Sequence, residues 1–435
     1  MKRLVTTLLA ILTIASASGQ KPPTLQHKLA TDGALTLTWP VQILTNTSTN
    51  LNASYQLELA NEVGAWAPLG ALLRGEKFPN HLASIRLTNL LDPAASFFRV
   101  RAVFDFTGGN FVGKTIQGKL LPNSIFFGAN FFDAALDGTS FDNADLAAAD
   151  FRFATMTQIT ATNADFTLAR LADTDLTSAN LASAKLLLAD FSGAKLTFTD
   201  LSGADLRGAI IQPDDSNFTH FHNTIVDPTT VFDRRCLAIW LIVNGQATNR
   251  TFSDVDLSFS DLSGGNLQNA NLAGIDLSGA DFTNADLRGA NLTNAILRTL
   301  DLRGTKMDDT TNITNRWRTI WDIINDPKPD RSHPNTDLSL GFWIGATLER
   351  ADVHNSNFTR GIMDDVNFEG ANASAARFTS VEFRGANFKN ANLQNATFSN
   401  AFLDNVTFLG ANTTNVNFIG ATFINTTMSD GSIRN

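Results

Sequence analysis

Residues 270–294 read ANLAG IDLSG ADFTN ADLRG ANLTN, five consecutive groups of five with Leu or Phe in third place and Ala or Ile in first. A five-residue period is neither the 3.6 of an α-helix nor the simple alternation of a half-buried strand. In extended backbone, side chains two apart face the same side. Ala285 and Leu287 therefore point together, and the other three members of that group point away.

Working outward, every fifth residue is a large apolar one at all 12 places in 252–307, at 23 of 25 in 106–226 and at 17 of 19 in 338–428. The exceptions are Ala161, Ser216, Ala373 and Thr413. Ordinary composition would fill only about a third to a half of such places. Each block begins one register later than the one before, and Ala144-Asp145-Leu146, Ala204-Asp205-Leu206, Ala270-Asn271-Leu272 and Ala386-Asn387-Phe388 share the motif A-(D/N)-(L/F)-x-x. Of 33 Phe, 20 occupy the third place, against a single Tyr in the whole chain, as expected of buried rings with no partner for a hydroxyl.

This motif resembles the signature of the pentapeptide repeat family, and the resemblance covers roughly two thirds of the chain. It implies a right-handed quadrilateral β-solenoid in which four repeats make one square turn and turns stack by backbone hydrogen bonds. With strands stacked ~4.8 Å apart, the repeats would form about 14 coils and a rod roughly 65 Å long. Leu146, Phe166, Leu206, Leu267, Leu287, Phe388 and Phe408 are the core positions expected to line its interior. Stability in such a stack is close to a sum over neighbouring coils.

Two inserts, 227–251 and 308–337, separate the blocks and match each other at an offset of 81 residues. Asp227, Thr229, Thr230, Arg235, Ile239, Trp240, Ile242 and Asn244 recur as Asp308, Thr310, Thr311, Arg316, Ile320, Trp321, Ile323 and Asn325, so one module has been duplicated. Apolar residues at 236, 239, 240 and 243 have helical spacing. They predict short helices over 235–243 and 316–324, opened near Pro228 or Asp309 and closed at Asn244-Gly245 or Asn325-Asp326-Pro327. Trp240 and Trp321 either pack on the coil beneath or belong to a projecting interaction surface.

Before the repeats, strands are expected over 35–39, 55–59, 66–69, 82–87 and 97–104. Leu37-Thr38-Trp39-Pro40, Tyr55 with Leu57-Glu58, Trp66 and the closing Phe97-Phe98-Arg99-Val100-Arg101 resemble fibronectin type III-like modules, which implies a small β-sandwich over 24–105. Lys2 and Arg3, an apolar run over 4–15 and Ala15-Ser16-Ala17 form a secretory signal over 1–17. The apolar run is too short to span a membrane. The expected fold class is thus all-β, a sandwich followed by a pentapeptide solenoid (106–226, 252–307, 338–428) with two helical inserts and a tail at 429–435.

The formal net charge of −9 becomes −11 without Lys2 and Arg3, which disfavours nucleic acid as a partner. Cys236 is the sole cysteine, so no intramolecular disulfide or cysteine metal cluster forms and no cofactor is implied. Asp261, Asp281 and Asp301 fall in one column at steps of 20, a candidate for calcium unless solvent and nearby Arg288, Arg298 and Arg303 screen them. His220 and His222 form a pair without an evident third ligand. In the last block Asn replaces Asp at 357, 367, 372, 387, 392, 412 and 417, for stacking between coils or for glycan contact. No nucleophile elbow or phosphate loop is present, and no exposed aromatic row is legible.

The expectation is a non-catalytic scaffold or interaction protein, exported to the periplasm, cell surface or exterior, whose partner is a protein or cell-surface glycan. Alternatives are a polysaccharide-binding or polysaccharide-acting β-helix, and a DNA-mimicking gyrase partner, which a signal peptide disfavours. Oligomeric state stays open.

Overall fold

The five backbone donors of one repeat explain its motif. In Ala144-Asp145-Leu146-Ala147-Ala148, the Ala144 N–H closes the corner by donating to the Phe141 carbonyl at 2.8 Å. Asp145 N–H donates to Ser124 in the preceding coil at 2.9 Å, while Leu146 and Ala148 donate to Asp165 and Thr167 in the following coil at 2.7 and 2.8 Å. Only Ala147 N–H finds no carbonyl, and the Asp145 carboxylate accepts it at 3.1 Å. Backbone donors are nearly always paired, and Asx is the residue type whose side chain reaches an N–H two residues on. The second place is therefore Asp or Asn for a local reason, and Ser278, Thr283 and Gln394 are held in the same way by Asp276, Asp281 and Asn392.

A computed structural model of the chain describes residues 106–435 in full and, before them, only the backbones of seven strands. These are β1 (Gln26–Leu29), β2 (Leu35–Pro40), β3 (Asn52–Ala60), β4 (Trp66–Pro68), β5 (Leu73–Arg74), β6 (Leu82–Leu87) and β7 (Phe97–Asp105). β1, β2 and β6 form one antiparallel sheet; in another, β7 pairs along all of β3, and β4 and β5 pair with its two ends. The expected secretory signal and the expected packing of a sandwich lie outside the described residues.

The chain divides into two compact units, Met1–Phe232 and Asp233–Asn435. Within each, parallel bridges recur in steps of 20 residues, as in Asp145↔Asp165↔Lys185↔Asp205 and Asp352↔Asn372↔Asn392↔Asn412, so four repeats make one coil of a β-solenoid. At the end of the first unit β8 (Ile210–Ile211) pairs in parallel with β9 (Val231–Phe232), one coil further on. The second unit holds the two helices among the described residues, α1 (Arg234–Val243) and α2 (Asn315–Asn325). A parallel sheet follows, of β10 (Glu382–Arg384), β11 (Phe402–Asp404) and β12 (Thr422–Ile424), and then an antiparallel pair, β13 (Thr426–Thr427) and β14 (Ile433–Arg434).

Corner residues in fifth place take the left-handed backbone conformation, with φ of 61° at Asn284 and 69° at Gly208. At Gly208 a Cβ would also lie 2.6 Å from Leu188 Cδ2, so a side chain there would have to displace that exposed leucine, while glycine takes the corner conformation at no steric cost.

Leu146, Phe166, Leu206, Leu267, Leu287, Phe388 and Phe408 have no exposed surface. In the last block, Phe358, Phe378, Phe398 and Phe418 stack from coil to coil at 4.7–5.4 Å, and Phe368, Phe388 and Phe408 form a second stack at 4.6 and 5.3 Å. The two stacks meet edge to face across the interior, as Phe378 and Phe388 do at 5.6 Å and 78°. Each such pair contributes about 0.5–1.5 kcal/mol beyond its burial, and a Tyr hydroxyl would have nowhere to go. Where Thr replaces Ala in first place its hydroxyl is still satisfied: Thr174 and Thr199 donate to the Phe151 and Leu176 carbonyls at 2.9 and 2.8 Å.

Candidate functional site

The duplicated inserts are the part of the described chain that the repeat does not dictate. Each opens on a carboxylate turn. Asp227 Oδ1 accepts the Thr229 N–H at 2.9 Å, the Thr229 hydroxyl at 2.6 Å and the Gly208 N–H at 3.2 Å. Asp308 does the same with Thr310 and Gly289, at 3.0, 2.6 and 3.3 Å. Hydrogen bonds from the Thr229 and Thr310 hydroxyls hold both carboxyls below the usual carboxylate range. Thr230 and Thr311 then donate to the Leu206 and Leu287 carbonyls at 3.0 and 2.9 Å.

Because this turn consumes Pro228 and Asp309, the helices do not open there, as the sequence had led one to expect. They start later, after Asp233, whose carboxylate caps the Cys236 N–H at 2.6 Å, and after Thr314. The buried stripe is also rotated from the expected one: Cys236, Ala238, Ile239 and Ile242 are buried in α1 and Trp317, Ile320 and Ile323 in α2, while Trp240, Val243 and Trp321 are half-buried.

Arg235 and Arg316 clamp each helix forward. Arg235 donates to the Ser258 carbonyl at 2.5 Å and Arg316 to that of Ser339, beside Asp337 at 3.8 Å. The Trp321 indole N–H donates to the Thr305 carbonyl at 2.9 Å with the Arg318 guanidinium over its ring at 5.7 Å, and Asn325 donates to Leu302 and Trp321 carbonyls at 2.8 and 3.0 Å. Trp321 is thus a strut between helix and coil. The recurrence of Arg235 as Arg316 was the sequence signal for this clamp, though its target carbonyl lies 23 residues away in each copy.

Asp261, Asp281 and Asp301 do stack on successive coils. Their carboxylates turn to the N–H groups of Ser263, Thr283 and Arg303, and the Arg303 side chain grips Asp301 at 2.6 Å while lying over the Phe342 ring at 5.3 Å. Among the described residues, no group of three or more His, Cys, Asp or Glu side chains could hold a metal ion. His220 and His222 are half-buried.

The Asn column hydrogen-bonds along itself: Asn372 donates to Asp352 at 2.9 Å, Asn392 to Asn372 and Asn412 to Asn392, both at 3.1 Å. Each amide oxygen serves the backbone and the next coil while the amide nitrogen donates backward, which a carboxylate cannot do. Asp columns are instead held sideways by arginines, as in Asp150–Arg152, Asp205–Arg207 and Asp286–Arg288 at 2.6–2.7 Å. Phe153 and Phe198 are about half exposed at corners, Phe198 stacked on Phe218 at 5.2 Å, aromatic surface that the sequence reading missed because both stand in the corner place.

Stacked four-repeat coils with the first- and third-place residues of A-(D/N)-(L/F) turned inward define a pentapeptide β-solenoid. Family descriptions agree: "Pentapeptide repeats (8 copies)" matches residues 124–160, 174–212, 251–289 and 275–311, and "Pentapeptide repeat region" matches 351–428. The chain belongs to the pentapeptide repeat family. Comparison with curated proteins gives no match. Among solved structures it is similar to HetL, a pentapeptide repeat protein involved in heterocyst differentiation regulation from the cyanobacterium Nostoc sp. strain PCC 7120, at 20% identity over 75% of this chain and 92% of that one, TM-score 0.15. A thylakoid-lumen pentapeptide repeat protein of Arabidopsis thaliana is 24% identical over 25% of this chain and 70% of its own, TM-score 0.19. Full-length QnrB1, a plasmid-mediated fluoroquinolone resistance protein, is 17% identical over 49% and 94%, TM-score 0.17.

Proposed function

We propose that this protein is an exported, non-catalytic scaffold that presents protein-binding surfaces from a right-handed, square-sectioned solenoid preceded by a fibronectin type III-like sandwich. The observation that carries the reading is the commitment of the outward polar side chains to the coils themselves. The Asp352-Asn372-Asn392-Asn412 ladder and the Asp–Arg pairs bond neighbour to neighbour, which makes a stiff surface. Arg235 and Arg316 tie the two helices to the coils that follow them by the same bond, so each helix is held in a defined place on those coils. Membership of a family built on this repeat agrees with a scaffold role.

The test is retention on the immobilised full chain of proteins from an envelope fraction against purified cell-surface polysaccharides. Saturable retention of a protein supports the scaffold reading. Retention of polysaccharide alone, or its cleavage on incubation, overturns it.

A further inference from the structure

The two inserts are copies, so the second serves as an internal control for the first, and they differ on the outer face of the helix. In α2 the outward positions are Arg318 and Asp322, both engaged. Arg318 donates to the Asp308 and Thr311 carbonyls at 3.0 and 2.6 Å, and Asp322 pairs at 2.6 Å with Arg331, whose side chain is only 8% exposed. In α1 the corresponding residues are Leu237 and Leu241. Leu237 is 41% exposed and Leu241 half-buried. They stand one turn apart, on the same side of the helix.

Replacing Asp322 by Leu in the first copy also leaves the counterpart of Arg331 without its carboxylate. That counterpart, Arg250, is exposed, and its guanidinium donates to the Gln246 carbonyl at 2.6 Å. Arg234, three residues before Leu237, is exposed too and donates to the Asp254 carbonyl at 3.1 Å. Neither has a carboxylate at ion-pair distance among the described residues. In a chain of net charge −9, two arginines that form no ion pair stand out beside an apolar stripe. A lone exposed Leu needs no explanation; this one does, because the sister helix shows that polar residues fit the same two places.

We propose that the outer face of α1, with Leu237 and Leu241 flanked by Arg234 and Arg250, is a docking surface for an acidic amphipathic helix of another protein, and that α2 is not. An i, i+4 apolar pair meets the matching stripe of a partner helix, and the flanking guanidinium groups select acidic residues at its edges. This deepens the scaffold reading by naming the surface and the chemistry of its partner.

The test is a display selection of random helical peptides against the full chain. Its controls are Leu237→Arg with Leu241→Asp, the pair that the second copy already carries, and Arg234→Glu with Arg250→Glu. Recovered peptides with a leucine-type stripe and excess acid, weakened by about tenfold or more by either control pair while the melting curve is unchanged, bear the proposal out. Peptides that bind the Leu237→Arg/Leu241→Asp chain equally well, or that carry no acid excess, overturn it. So does wild-type binding to anionic phosphatidylserine vesicles that this pair abolishes, which assigns the face to a membrane, or a dimer that it dissociates, which assigns the face to a second copy. If envelope proteins are retained by wild type and this variant alike, the scaffold reading stands and the α1 assignment alone falls.

Discussion

Asn392 shows how a single outward side chain serves two coils. Its oxygen accepts the Gln394 N–H and the Asn412 amide while its nitrogen donates to Asn372. Asn392→Ala should destabilise the second unit by about 1–2 kcal/mol, read by urea unfolding. Asn392→Asp should fall between, because it keeps the acceptor and loses the donor; equal loss in both variants would deny the ladder its role. Inside, Trp343 is fully buried and a Cβ at Gly341 would lie 2.5 Å from its Cε2. Gly341→Ala should cost about 1–3 kcal/mol by overpacking, and adding Trp343→Leu should recover most of it in the same unfolding measurement. Asp286, held down to about 2 first by its hydrogen bonds from Arg288, has a lowered folded-state value. The stability it contributes is complete above its ordinary 3.8 and is lost as the pH falls through about 2. Arg288→Gln should move that loss up toward 3.8, visible in a carboxyl-carbon NMR titration. The second-place Asp or Asn was legible as a pattern; its cause, an otherwise orphaned N–H, needed the coil, because three of the five donors are used by the neighbouring coils and a fourth closes the corner.

At the scale of the element, α2 is held by contacts that local propensity does not contain. Trp321→Phe keeps the ring and removes the bond to the Thr305 carbonyl. We expect a loss of about 1 kcal/mol and faster amide exchange in α2, with the Phe columns of the coils unaffected; unchanged exchange would mean that the strut carries nothing. The helices and their C-terminal ends at Asn244 and Asp326 could be read from apolar spacing and Asn-Gly or Asp-Pro. Their first residues were read to within one position, but the residues that open them, Asp233 and Thr314, were not. Pro228 and Asp309 look like helix openers until the Gly208 and Gly289 N–H groups, from the coil before, are seen to claim the neighbouring Asp227 and Asp308 carboxylates.

At the scale of the molecule, the coil is the unit of folding energy, since its hydrogen bonds and ring stacks are with the coils next to it. Deleting residues 372–391, one whole turn, joins Ala371 to Asn392-Leu393 and restores the motif. That variant should remain folded with a modestly lower melting point. Deleting 372–392, one residue more, turns every following third-place side chain out of the core and should abolish cooperative melting of everything after the joint; circular dichroism distinguishes the two.

The sequence by itself determined the coil's interior, because a side chain's inward direction follows from its place in a five-residue period, and Leu146 or Phe388 needs no distant information to point inward. It also determined that the inserts are copies. Only the tertiary structure decided what the outward residues do. An Asp at Asp301 could await a cation, an arginine or a backbone N–H, and the choice depends on groups brought alongside by chain 20 residues away in sequence but one coil away in space.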